Sequence, residues 1–241
     1  MLYAFGRAVR PPFFLMNAVI VHFNTPELTR ATIKSIWKHT PECKVTIFDN
    51  STELPFGEMD GVSIIDNTRG QLIDFDAFLA QFPDKVPTTN EWGSAKHTRT
   101  IDYLFDLFPA GFVLLDSDVL VKRDLNELVD GTRAYVGEPF QNLDNAWQCV
   151  ARLLPFCCWI NVPMCRRAGI HYFDPARTWQ LKPSRMFDLY DTGASFYEDC
   201  VKQRLPYKNI NIDDYIEHLG ASSYLRKDPT AWLEKYRDLY E

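Results

Sequence analysis

Apolar runs of strand length alternate with helix-like stretches through the first half of this chain. That order limits the fold more than any other feature. "NAVIVHF" (17–23), "KVTIFDN" (44–50) and "VSIIDN" (62–67) are short and rich in β-branched residues, so they read as buried strands. Between the first two, "TPELTRATIKSIWKHT" reads as a helix, with Thr25 as N-cap and Pro26 at the first helical position. Leu28, Ile33, Ile36 and Trp37 form its apolar face. Residues 69–92 are less regular, with one short helix expected in "LIDFDAFLAQF". "SAKHTRTIDYLFDLF" (94–108) predicts a longer helix, capped by Ser94 and ended by Pro109. "FVLLDSDVLV" then reads as one more strand, "RDLNELVDG" as a short helix stopped by Gly131, and "AYVGEPF" as another strand. This order predicts a mostly parallel sheet covered by helices. The second half is aromatic, Pro-rich and irregular. It predicts a helix starting near Asp191, a strand at "KNINI" and a C-terminal helix at "TAWLEKYRDLY". No internal repeat appears, and the 241 residues fit a single domain.

Charge and cysteine usage narrow the classes. A net charge of −6 argues against a general electrostatic grip on nucleic acid. The six cysteines show no C-x-x-C spacing, so neither a zinc ribbon nor a thioredoxin-like site is signalled. They read as free thiols in a reducing cytoplasm. No run has the length of a membrane span. The first 16 residues read as an extended arm, or as residues upstream of a start at Met16. Contact of that arm with the inner face of the membrane is the weaker alternative.

The strand "VLLDSDVLV" carries two carboxylates amid apolar residues. An ionised carboxylate buried there is costly unless paired or bound to a cation. Residues i and i+2 of a strand point to one side, so Asp116 and Asp118 would converge on one ion. Hard cations such as Mg2+ or Mn2+ take carboxylates and add water or phosphate oxygens. The plainer alternative has one Asp capping a turn and the other facing solvent. A second predicted strand ends in Asp49, and in parallel sheets ligands bind beyond the carboxyl ends of strands.

These motifs together resemble the nucleotide-sugar-dependent glycosyltransferases of the GT-A fold, nearest to glycosyltransferase family 2. "AVIVHFNTPELTRATIKSIWKHTPECKVTIFDNS" is similar to that family's opening strand-helix-strand. "VLLDSDVLVKRDLNEL" resembles its D-x-D strand and following helix. "DTGASFYEDC" resembles the acidic helix start near the acceptor, and "EHLGASS" the late His-containing segment. The resemblance implies an α/β, Rossmann-like GT-A domain. Its mostly parallel sheet would be flanked by helices, with a donor half at 1–121 and an irregular acceptor half at 122–241. It implies a UDP- or GDP-sugar donor, a glycan or lipid-linked acceptor, and Mn2+ or Mg2+ as cofactor.

Residue by residue, the resemblance implies that Asp49 bonds the uracil or ribose and that Asn24 lies against the nucleotide. Asn24 also reads as a plain turn residue. Asp116, with Ser117, would sit near the ribose or sugar, and Asp116, Asp118 and His218 would hold the metal. Arg99, and more weakly Lys96, would reach the diphosphate, although both also read as a solvated helix face. Of the remaining histidines, His39 reads as a helix end, and His22 and His171 as packing. Inverting transfer needs a carboxylate base, and Asp191, Glu198 and Asp199 are candidates. Asp191 is preferred because it sits at the apparent helix start, where it also reads as an N-cap.

Three alternatives stand beside this reading. "CCWINVPMCRR" faintly resembles family 8, whose members retain the anomeric configuration, and Asp191 would then be no base. "LLDSDVLV" resembles the first motif of haloacid-dehalogenase-like phosphatases, with "NIDDY" as the late acidic pair. Against that, Leu120 stands where a Thr is usual and the motif lies on a late strand. The third alternative is a sugar-nucleotide-binding protein without catalysis.

Overall fold

The computed structural model describes residues 16–81, 89–140, 150–177, 190–220 and 228–241. The expectations for the N-terminal arm up to residue 15, for Cys149 and for the "ASS" of "EHLGASS" lie outside them.

The opening strands and helix fall where the apolar pattern puts them: β1 (Asn17–His22), α1 (Pro26–His39), β2 (Lys44–Asp49) and β3 (Val62–Asp66). Helix α2 (Phe75–Ala80) is capped by Asp74, whose Oδ1 accepts from the N–H groups of Asp76 and Ala77. Helix α3 spans Thr89–Leu107, so Ser94 lies inside it and is not its cap. The stretch read as one strand at 112–121 is broken. Strand β4 (Phe112–Asp116) ends at the first carboxylate, Ser117 and Asp118 make a turn, and β5 (Val119–Val121) departs into a second sheet. Beyond it, Leu125–Leu128 is a 3-10 turn rather than an α-helix.

The second half adds β6 (Tyr135–Gly137), β7 (Pro139–Phe140), β8 (Arg152–Leu153), β9 (Cys157–Ile160) and α4 (Val162–Arg167). After these come α5 (Ala194–Lys202), β10 (Lys208–Asn209), β11 (Ile216–His218) and α6 (Thr230–Lys235). The central sheet runs β10-β6-β9-β4-β1-β2-β3. Its pairings are parallel except for β9, which runs antiparallel between β4 and β6. Three of its strands come from beyond residue 121, so both halves of the chain share one sheet.

The inner strands β1, β2, β4 and β9 are largely buried on both faces, which explains their near-continuous apolar sequences. Ala18, Ile20, Val113 and Leu115 join α1 residues Ile33 and Ile36 in one core. Val19, Phe112 and Leu114 point the other way and meet Ile101 and Leu104 of α3. Alternation along each strand thus feeds two cores. The parallel register aligns Val21 with Asp116 and His22 with Asp49, and Asp49 with Asp66. The carboxyl edge is therefore a row of acids. A buried chain of side chains, Asn67 to Asn50 to Thr100, ties α3 to that edge.

The described cysteines, Cys43, Cys157, Cys158, Cys165 and Cys200, are buried and free of disulfides. No helix among the described residues is long and apolar enough to cross a membrane.

Gly193 is the N-cap of α5, with φ +86°. A Cβ there would run into the Leu153 carbonyl oxygen of β8. Only glycine both adopts this backbone freely and lets the loop approach the strand this closely. Gly193→Ala should cost about 1–3 kcal/mol, from the left-handed backbone plus the close contact. Urea unfolding measures it. An unchanged midpoint would show that the loop has room to move away from β8.

Candidate functional site

Asp116, Asp118 and His218 come together at the carboxyl edge, with one ligand atom from each lying within 4.8 Å of the others. The convergence does not come from alternation along one strand, as the sequence suggested. It comes from the turn at Ser117 and Asp118 and from β11, which pairs antiparallel with β5 and sets His218 opposite Val119. Leu219 N–H donates to the Asp118 carbonyl (3.1 Å), fixing the approach. His218 Nε2 lies 3.2 Å from Asp118 Oδ1. The Phe156 ring covers the imidazole at 4.0 Å between centroids.

Helix α1 holds the turn. Thr32 Oγ1 is 2.6 Å from the Val119 carbonyl and 3.2 Å from that of Ser117. Ser35 Oγ accepts from Val121 N–H (2.9 Å). Thr25 occupies the N-cap position of α1 without capping it. Its hydroxyl meets the Ser117 hydroxyl instead, at 3.0 Å.

The donor set suits a hard divalent cation. Ligand bonds of about 2.1 Å place opposite ligands about 4.2 Å and adjacent ones about 3.0 Å apart, so binding of a cation would draw these three groups closer together. Two carboxylates and one imidazole favour Mg2+- or Mn2+-like ions over soft ones. The thiols of Cys157 and Cys158 do not compete as thiolates, because burial pushes Cys157 up to about 12 and holds Cys158 well above its ordinary value.

Two residues that the sequence did not single out stand beside the carboxylates. His97 of α3 places Nε2 3.7 Å from Asp116 Oδ1. Arg152 of β8 pairs with Asp191, Nη1 to Oδ2 at 2.5 Å. Asp191 Oδ1 accepts from Ser94 Oγ (2.6 Å) and from Thr192 N–H (2.7 Å). Ser94 and His97 lie three apart on α3 and so share a face. One face of one helix thus serves both the Asp116–Asp118–His218 cluster and Asp191. That spacing was the available signal for His97, while nothing marked Arg152. His97 Nε2, Arg152 Nε and Tyr172 Oη are buried polar atoms without a hydrogen-bond partner.

The other candidates are placed as follows. Asp191 precedes α5 and does not cap it, since Gly193 is the N-cap. Glu198 and Asp199 lie within α5, and Arg177 binds both, at 2.7 and 2.6 Å, together with Asp174. Asp49 is only 2% exposed, and its two oxygens accept from the N–H groups of Ser51 and Phe56. Asn24 sits at φ +54°, and its Oδ1 accepts from Thr52, Glu53 and Leu54 N–H. Asn24 and Asp49 therefore shape the loop after β2.

Arg99 is not gathered at the cluster. It is two residues from His97, which puts it on the opposite side of α3. There it pairs with Asp102 (3.3 Å) and lines a cleft of about 320 Å3 with Asp106, Arg166 and His171. Lys96 lies over the Phe75 ring at 5.2 Å. His22 is buried against Thr29 and His39 closes α1, as expected. His171 is not a packing residue, because 76% of its side chain is exposed where the chain leaves α4.

Among solved structures, the chain is similar to the galactosyltransferase LgtC in complex with donor and acceptor sugar analogues. The TM-score is 0.57 at 13% identity, covering 93% of this chain and 95% of that one. It is also similar to mouse xyloside xylosyltransferase 1 in its apo form, with a TM-score of 0.52 at 11% identity, over 82% of this chain and 85% of that one. The chain has the GT-A glycosyltransferase fold. No family model and no curated protein matches it. At these identities the likeness carries the fold and not the family, so the family 2 placement stays a resemblance.

Burial draws the Asp116 carboxyl above its ordinary value of 3.8. The Asp118 charge adds to this, while His97, His218 and Arg152 oppose it. A raised value means that the native protein holds this proton more tightly than the unfolded chain does. The cation-free protein should therefore lose stability as pH rises from the ordinary value through the raised one. A cation binds the ionised form, so Mn2+ affinity should climb across the same window and level off above it. Melting curves with and without Mn2+ at roughly pH 4 to 7 check this. The gap between the two curves should widen with pH, and a gap independent of pH would count against Asp116 as a ligand.

Proposed function

We propose that this protein transfers a sugar from a nucleoside diphosphate sugar to a hydroxyl of a glycan or lipid-linked acceptor. The observation that carries the proposal is the Asp116–Asp118–His218 cluster at the carboxyl edge of a GT-A sheet. A bound Mn2+ or Mg2+ would supply Lewis-acid stabilisation of the diphosphate leaving group. Asp116, Asp118 and His218 would hold it, and Ser117 would face the donor from the turn. The late acidic pair of the phosphatase reading, Asp213 and Asp214, is exposed and outside the cluster.

Asp191 is the proposed base of an inverting transfer. Its Oδ1 already accepts two hydrogen bonds, whereas Oδ2, among the described residues, accepts from Arg152 alone. A carboxylate oxygen has two lone pairs, so Oδ2 keeps one for the acceptor proton. The Arg152 pair also favours a second reading, in which Asp191 is a fixed negative charge facing the sugar in a retaining transfer. Asn24 and Asp49 would act on the nucleotide through the loop they hold.

Incubation with UDP- and GDP-sugars and Mn2+ should release nucleotide, and EDTA should stop it. Asp118→Asn should lower turnover by roughly 100-fold or more, the equivalent of several kcal/mol of lost charge stabilisation. Hydrolysis of a generic phosphoester without sugar transfer would favour the phosphatase class, and binding without turnover a non-catalytic protein. The product's anomeric configuration by NMR separates the two roles of Asp191. Inversion, with turnover lost in Asp191→Asn, supports the base, whereas retention removes it.

Asp49→Ala should lower stability by about 1.5–3 kcal/mol through its lost charge-assisted hydrogen bonds, and should weaken nucleotide binding alongside. Weaker nucleotide binding at unchanged stability would instead indicate direct contact with the base or ribose.

A further inference from the structure

His97 has no part in the cluster as read from ligand chemistry, yet its position is unusual. It sits on α3 with 20% of its side chain exposed, and its Nε2 is buried without a hydrogen-bond partner. The group that this nitrogen faces is Asp116 Oδ1, 3.7 Å away, too far for a hydrogen bond. Leaving a buried polar atom unpaired is costly, and the fold has kept one beside a carboxylate. An imidazole facing a carboxylate carries its proton on the facing nitrogen, so Nε2–H is a donor aimed at Asp116.

The helix that carries it is firmly held. Thr100 of α3 accepts from Asn50, Ser94 donates to Asp191, and Ile101 and Leu104 are fully buried against the sheet. The approach of the two groups is therefore left to Asp116, which ends its strand just before the turn. Carboxylates that ligate metals are commonly oriented by hydrogen bonds from outside the ligand set.

We propose that His97 is a positioning residue for the cation site. Its Nε2–H takes up one lone pair of Asp116 Oδ1 and turns the remaining lone pairs toward the ion shared with Asp118 and His218. The proposal rests on the metal-site reading above.

The test is a titration with Mn2+ alone, reading free ion by its EPR signal, on the full chain and three variants. His97→Phe keeps the ring volume and removes the donor. His97→Gln keeps an N–H donor at similar reach. Asp118→Asn removes the charge of one ligand and reports on the site itself. Mn2+ affinity should fall about 10- to 100-fold in His97→Phe and recover to within a few-fold of the unsubstituted protein in His97→Gln. Melting without Mn2+ should be alike for both. His97→Asn, whose donor falls short of Asp116, replaces the Phe variant if that one does not fold.

Unchanged affinity in His97→Phe would overturn the proposal while leaving the metal site in place, provided Asp118→Asn loses binding. An equal loss in the Phe and Gln variants would assign His97 to packing and also overturn it. If the unsubstituted protein binds no Mn2+, or Asp118→Asn binds it equally well, the metal-site reading falls and this proposal with it.

Discussion

The break after Asp116 is the constraint on which the site depends. A strand that ran on through residue 121 would carry Asp118 along the central sheet, away from any partner on β11. Instead the chain turns, and β5 leaves to pair with the segment that bears His218. A turn in so apolar a stretch exposes backbone carbonyl and N–H groups that the sheet no longer satisfies. Hydroxyl groups of α1 take over that work, with Thr32 reaching the carbonyls of Ser117 and Val119, and Ser35 accepting from Val121. Helix α1 thus does more than cover the sheet. Its polar residues facing inward hold the bend that brings Asp116, Asp118 and His218 together.

The same economy of polar groups appears beside β2. Asp49 and Asn24 face backbone N–H groups, not open space. Between them they satisfy five: Ser51 and Phe56 by Asp49, and Thr52, Glu53 and Leu54 by Asn24. A tight loop has no ladder to use up its N–H groups, so side-chain oxygens must do so. Acids and amides at the carboxyl ends of strands therefore have two employments that look alike in sequence, ligand contact and loop construction.

This duality decides what could be read without coordinates. The strands β1, β2 and β4 and the helices α1 and α3 were legible because burial on both faces forces continuous apolar runs and 3.6-residue periodicity. Asp116 and Asp118 were legible as a pair from their spacing, whereas His218, which lies with them, was joined to them only through the family resemblance of "EHLGASS". The break between β4 and β5 was not legible, since the apolar runs on both sides outweigh the turn preference of "DSD" and the hydroxyls that hold the turn lie some 85 residues earlier. Ser94 shows the reverse error. A Ser before an apolar pattern is a good cap signal, but the helix starts five residues sooner and the hydroxyl serves Asp191. Arg152 could not be found at all, because a two-residue strand in an irregular segment has no periodicity to announce which way a side chain points.

Helix α3 then sets the relation between the two acidic centres. Ser94 and His97 are separated by about 4.5 Å of helix rise, and each touches or faces a carboxylate from a different part of the chain. Asp191 arrives on the loop that Gly193 allows to lie against β8, and Asp116 arrives on the central strand. Neither loop nor strand fixes the distance between them, whereas a rigid helix meeting both does. Arg152 adds a charge that offsets the accumulation of acids at this edge. That charge pairs with Asp191 and also acts on Asp116. The guanidinium binds the one acid of the three that lies outside the Asp116–Asp118–His218 cluster.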